Sequence, residues 1–132
     1  MLADLEQALL DRLSALDLAV EPFPDRPDSY QVRHENGALL VTIAGRAFSD
    51  PEQGPVYART VRVVLSLLVY SLRGHSGAYT YLEQIEQLLS GWEYGGYRFF
   101  PVSEDIGEEV ANNVWLYMIT YEGRRETPLR LA

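Results

Sequence analysis

Apolar residues recur through the first fifteen or so positions at Leu2, Leu5, Leu9, Leu13 and Leu16, while Asp4, Glu6, Gln7, Asp11 and Arg12 fill the opposite side. That spacing predicts an amphipathic helix whose leucine stripe needs a sheet to cover. After a proline-punctuated stretch over residues 21–27 the period changes. Asn36-Gly37 supplies the two positive-φ residues of a type I′ turn, and it stands between two runs rich in strand formers. A two-residue hairpin closed there sets Tyr30 opposite Ile43, Val32 opposite Val41 and His34 opposite Leu39. Gln31, Arg33, Leu40 and Thr42 then share a face that is at most partly buried. Residues 45–55, with Asp50-Pro51 and Gly54-Pro55, read as a polar loop too long for a simple connector.

Residues 57–70 alternate cleanly at first and then become apolar on both sides. Tyr57, Val61, Val63, Leu65, Leu67 and Val69 share one parity; Thr60, Arg62, Val64, Ser66, Leu68 and Tyr70 share the other. A strand of that length spans about 46 Å at roughly 3.3 Å per residue, so part of it is expected to overhang its own domain. Ala78, Leu82, Ile85 and Leu89 mark a second amphipathic helix, widened by Tyr81 and Leu88. Thr80 with Glu83 is a candidate capping box, Ser76 an alternative earlier cap, and Gly91 a left-handed terminator. Residues 97–102 and 113–121 read as two more strands, joined by an acidic turn over residues 103–109. The expected fold class is α+β: one mainly antiparallel twisted β-sheet with two α-helices packed on one face, in a single domain over residues 1–132. Arg33, Thr42, Arg62 and Ser66 fall on the other face, which is left for solvent or a neighbour.

Composition narrows the classes of function. The net charge of -8 argues against a broad nucleic-acid-binding surface, which needs clustered positive charge. The absence of cysteine removes disulfides, thiolate metal sites and thiol nucleophiles. No signal peptide is expected, because charges interrupt the N-terminal stretch on a helical period. Nor is membrane insertion expected, since the longest apolar run falls far short of the roughly 20 residues that span a bilayer. All 11 basic residues are arginine, which reads first as the bias of a GC-rich genome and second as a preference for bidentate contacts.

Catalytic chemistry finds little purchase. No Gly-x-Ser-x-Gly turn is present, and the two histidines, His34 and His75, lack metal-ligand spacing. The turn Gly74-His75-Ser76-Gly77 lacks the spaced glycines and the lysine of a phosphate loop. Glu104, Asp105, Glu108 and Glu109 do not follow a calcium-loop pattern. No enzyme activity, cofactor or metal is therefore expected. The tyrosine-rich strands could stack nucleobases, but their acidic surroundings favour packing or a protein interface.

Three stretches carry a family resemblance. Leu18-Ala19-Val20-Glu21-Pro22-Phe23-Pro24, then Gly37-Ala38-Leu39-Leu40-Val41, then Ser71-Leu72-Arg73-Gly74 with Gly77-Ala78-Tyr79 resemble, in order, the small tail terminator or tail completion proteins of Mu-like phages and prophages. The resemblance implies a structural virion protein, assembled in the bacterial host cytoplasm into the virion tail. It implies a homo-oligomeric ring, a hexamer, on the head-proximal end of the tail tube. Such a ring stops tube and sheath polymerisation and offers a surface to the neck or connector protein. With the ring expected, Arg46, Phe48, Tyr57, Arg59 and Arg62 become candidate contact residues on one subunit, with Glu104, Asp105, Glu108 and Glu109 as their counterparts on the next. The alternative is a small acidic inhibitor or DNA mimic that uses the negative charge as its binding surface. An enzyme would need a deep pocket that gathers a histidine with carboxylates.

Overall fold

The alternating stretch in the middle of the chain becomes a strand of 15 residues, and the remaining elements are arranged around it. The computed structural model describes residues 2–48, 56–70, 76–111 and 113–128. Its elements are α1 (Leu2–Leu13), β1 (Ala19–Pro22), β2 (Gly37–Phe48), β3 (Val56–Tyr70), α2 (Ser76–Leu89), β4 (Glu93–Tyr94), β5 (Tyr97–Ala111) and β6 (Val114–Pro128). The strands form one six-stranded sheet in the order β1-β2-β3-β6-β5-β4, antiparallel except for the parallel β1–β2 pair. The fold class is α+β, as expected.

Both helices cover the same face. Leu5, Leu9 and Leu13 of α1 and Ile85 and Leu89 of α2 join the odd-numbered positions of β3 from Val61 to Val69 in one core. β6 adds Tyr117, Ile119 and Tyr121, and β5 adds Phe99. Arg12 Nε, in the last turn of α1, donates to the Leu88 carbonyl of α2 at 2.9 Å and ties the helices together at their C-termini. α2 ends where expected: Gly91 takes a φ of 79° and donates its N–H to the Phe99 carbonyl at 2.8 Å. The helix starts at Ser76, so Thr80 lies inside it rather than at a capping box.

Asn36-Gly37 does not close a hairpin. Residues 30–36 are not a strand, and the outer neighbour of β2 is β1, with Ala19 beside Ala38 and Pro22 beside Val41. The pairings of Tyr30 with Ile43, Val32 with Val41 and His34 with Leu39 are absent. Local side-chain bonds explain the difference. Asn36 Nδ2 donates to the Asp17 carbonyl at 3.1 Å and to its carboxylate at 2.7 Å, while the Asn36 N–H donates to His34 Nδ1 at 3.1 Å. These bonds hold the turn against the α1–β1 connection, with Asn36 outside the left-handed region that a type I′ turn demands. Among the described residues Asn113, at the β5–β6 turn, is the non-glycine with positive φ, 62°.

The strands also run longer than the sequence pattern indicates. The acidic stretch 103–109 is not a turn but lies inside β5, where bulges after Pro101, Asp105 and Glu109 absorb the extra residues. β5 is close to the sheet edge, where charge and bulges are tolerated and discourage stray pairing. Residues 45–48, expected in a loop, continue β2 past a bulge between Ile43 and Gly45. The rest of that loop, 49–55, and the stretch 71–75 with His75 fall outside the described residues.

Two measurements check this packing. Leu9→Ala and Ile85→Ala should each lower unfolding stability by about 2–5 kcal/mol in urea titrations, because both side chains are buried to 1% exposure or less; wild-type midpoints in both would contradict it. Gly37 has a φ of 128°, and a Cβ there would collide with the Leu68 carbonyl oxygen, whereas a Cβ at Gly45 meets nothing within 4 Å. Gly37→Ala should therefore unfold at markedly lower temperature than Gly45→Ala.

Candidate functional site

The register gathers arginines at one end of the sheet. Phe48 of β2 lies beside Arg59 of β3, which lies beside Arg125 of β6; in the next row Thr60 is followed by Arg124 and Arg98. With Arg46 and Arg62, six of the 11 arginines fall in this end. The Phe48 ring is 54% exposed. The guanidinium carbons of Arg46 and Arg59 stand 5.5 and 5.8 Å from its centroid, a cation–π arrangement that holds an aromatic knob between two cations. Glu93 binds Arg98 at 2.7 Å, and Glu122 lies 3.6 Å from Arg62. Like charges side by side on neighbouring strands are unfavourable, and the ion pairs of Glu93 and Glu122 offset part of that repulsion within the subunit.

The residues expected to form contacts divide between two places. Arg46, Phe48 and Arg59 come together on the helix side, and Arg62 lies on the other face beside Glu122. Tyr57 lies on β3 in register with Thr127. Glu104, Asp105, Glu108 and Glu109 are exposed on β5, well along the sheet from the arginine end, and make no ion pair among the described residues. Alternation separates these four. Asp105 and Glu108 lie beside Met118 and Leu116 on the helix-free parity, whereas Glu104 and Glu109 lie beside Ile119 and Trp115 on the helix side.

The helix-free face is not simply solvated. Leu40 and Ser66, each 4% exposed, form the floor of a groove of about 770 Å³ with Leu68, Leu116 and Met118. Phe23 and Tyr30, from the connection between β1 and β2, wall one side, and Val110 of β5 closes the other. The Ser66 hydroxyl points at Met118 Sδ, 3.5 Å away, so the buried polar group has a soft acceptor. Tyr30 anchors its wall by donating to Glu21 Oε2 at 2.8 Å. Burial first, then that hydrogen bond and the charge of Glu21, push the Tyr30 hydroxyl up to about 12.

Sequence reasoning missed Arg98, Arg124, Arg125 and the groove. The Arg124-Arg125 doublet after Gly123, and a run from Val114 to Ile119 that is apolar in both parities, are the signals that carry them. His34 is engaged in structure: its Nδ1 accepts from Asn36, and its Nε2 lies 3.4 Å from Asp17. Among the described residues no group of three or more histidines and carboxylates could hold a metal, and no helix is long and apolar enough to cross a membrane.

Residues 8–124 match the Gp37 protein family. The chain belongs to that family. This Gp37-family chain also matches a chain in the structure of the virion of a native gene transfer agent particle. The TM-score is 0.64 at 12% identity, with 93% of this chain and 95% of that one covered. Identity that low speaks to fold, and the coverage says that the fold is shared from end to end. No curated protein matches the chain.

The Tyr30 anchor sets a pH dependence. A phenol raised above its ordinary 10 contributes stability that is fully present below pH 10 and is lost as pH rises toward 12. The wild-type minus Tyr30→Phe difference in phenolate absorbance should titrate near pH 12; a midpoint at 10 would show the anchor absent.

Proposed function

We propose that this Gp37-family chain is a structural protein of a phage-type virion, and within it a tail terminator. In this reading six copies close into a ring on the head-proximal end of the tail tube. The ring ends polymerisation of tube and sheath and presents its far surface to the neck protein. The observation that carries the virion role is the end-to-end sharing of fold with a chain of an assembled virion particle. The tail-end role rests on the sequence resemblance and on the distribution of charge.

Charge polarity supports a ring rather than a two-fold dimer. A two-fold contact is self-complementary and needs both unlike patches on one surface, whereas Arg46 and Arg59 lie on the helix side and Asp105 and Glu108 on the opposite face. Head-to-tail contact brings unlike patches together and closes into a ring when the rotation permits. The same polarity weighs against the DNA-mimic alternative, because six arginines at one end break up a uniformly acidic surface.

Mass determination in solution combined with negative-stain microscopy, on the chain alone and with purified tail tube ends, tests the reading. Rings capping one end of the tubes are the expected result, and a monomer that never binds tube ends contradicts it. Deleting residues 48–53, which removes Phe48 and the chain after it, should leave a folded protein that no longer caps tubes. A deletion variant that still terminates tails at normal length would move the contact elsewhere.

A further inference from the structure

The groove on the helix-free face complements the arginine end in charge and in apolar character. Its floor and walls are mainly apolar, with Ser66 and Gln31 among them, and it is large enough for an aromatic side chain together with the methylene stems of flanking arginines. Its rim is acidic on both sides. Asp28 lines it on the β1–β2 side, and Asp105 and Glu108 stand beside floor residues Met118 and Leu116 on the β5 side. At the other end of the same sheet, Phe48 projects between Arg46 and Arg59. It is the most exposed phenylalanine among those described.

We propose that the Phe48 knob of one copy, flanked by Arg46 and Arg59, seats in the helix-free groove of the next copy, with the arginines meeting Asp105 and Glu108 on its rim. This inference rests on the ring reading and names the surface that makes the ring. Three features favour a second copy as the occupant. The knob combines aromatic surface with positive charge, which is what an apolar groove with an anionic rim selects. Knob and groove lie on opposite faces at opposite ends of the sheet, so no subunit can fill its own groove with its own knob. Each copy also offers one of each, the requirement for head-to-tail closure. The proposal separates the four β5 carboxylates: Asp105 and Glu108 belong to the contact, whereas Glu104 and Glu109, on the helix-side parity, do not.

The chain contains no cysteine, so introduced thiols report the contact directly. Phe48→Cys and Val110→Cys are prepared separately, mixed with tail tube ends and oxidised. Both positions are exposed, 54% and 48%, so neither substitution should disturb folding, which matching thermal midpoints would confirm. The expected product is a disulfide between the two different variants, with little coupling of either to itself. Rings that assemble with no mixed disulfide overturn the knob-and-groove contact and leave the ring reading standing; wild-type chain that never caps tubes overturns both. Capture of Val110→Cys by a tube protein instead assigns the groove to that partner and overturns the proposal. As a charge test, Asp105→Arg with Glu108→Arg should abolish ring formation, while Glu104→Arg with Glu109→Arg should leave it intact. The reverse pattern rejects the assignment.

Discussion

The structure depends on two leucine-rich helix stripes sharing one sheet face. Neither helix could bury its apolar side alone, and the strand that receives both must alternate faithfully, because a one-residue slip would turn its apolar set to the opposite face. β3 meets that demand from Val61 to Val69, and its exposure on the helix side never exceeds 5% over that stretch. Packing there fixes which way every neighbouring strand faces.

Once that face is taken up by the helices, the other is left to the remaining chain. It is polar and arginine-bearing at one end, through Arg62, Arg98 and Arg124, and apolar at the other, through Leu40, Leu68, Leu116 and Met118. A connection pinned by Asn36 to Asp17 and by Tyr30 to Glu21 walls the apolar end without filling it. In the proposed head-to-tail contact this hollow, with the two carboxylates on its rim, receives the neighbouring copy.

Much of the fold was legible because periodicity reports burial. Leu5, Leu9 and Leu13, Ile85 and Leu89, and the odd positions of β3 from Val61 to Val69 are read straight from spacing, and all are buried. What escaped the sequence was decided by side-chain bonds between distant residues. Asn36-Gly37 has hairpin chemistry, yet Asp17, nineteen positions away, takes the Asn36 amide and β1 takes the strand edge. The acidic run 103–109 has turn composition, yet bulges carry it along β5. The arginine end could not be read as a unit, since Phe48, Arg59 and Arg125 in one row, and Arg124 and Arg98 in the next, become neighbours through strand register alone.

Hydrogen exchange on the chain, free and bound to tail tube ends, tests most directly whether assembly joins the strand end that bears Phe48 to the helix-free groove while the helices serve the fold alone. The account predicts new amide protection in residues 46–48 and 105–111 on binding, with α1 and α2 unchanged. Protection gained in the helices, with those strand segments unaltered, would contradict it.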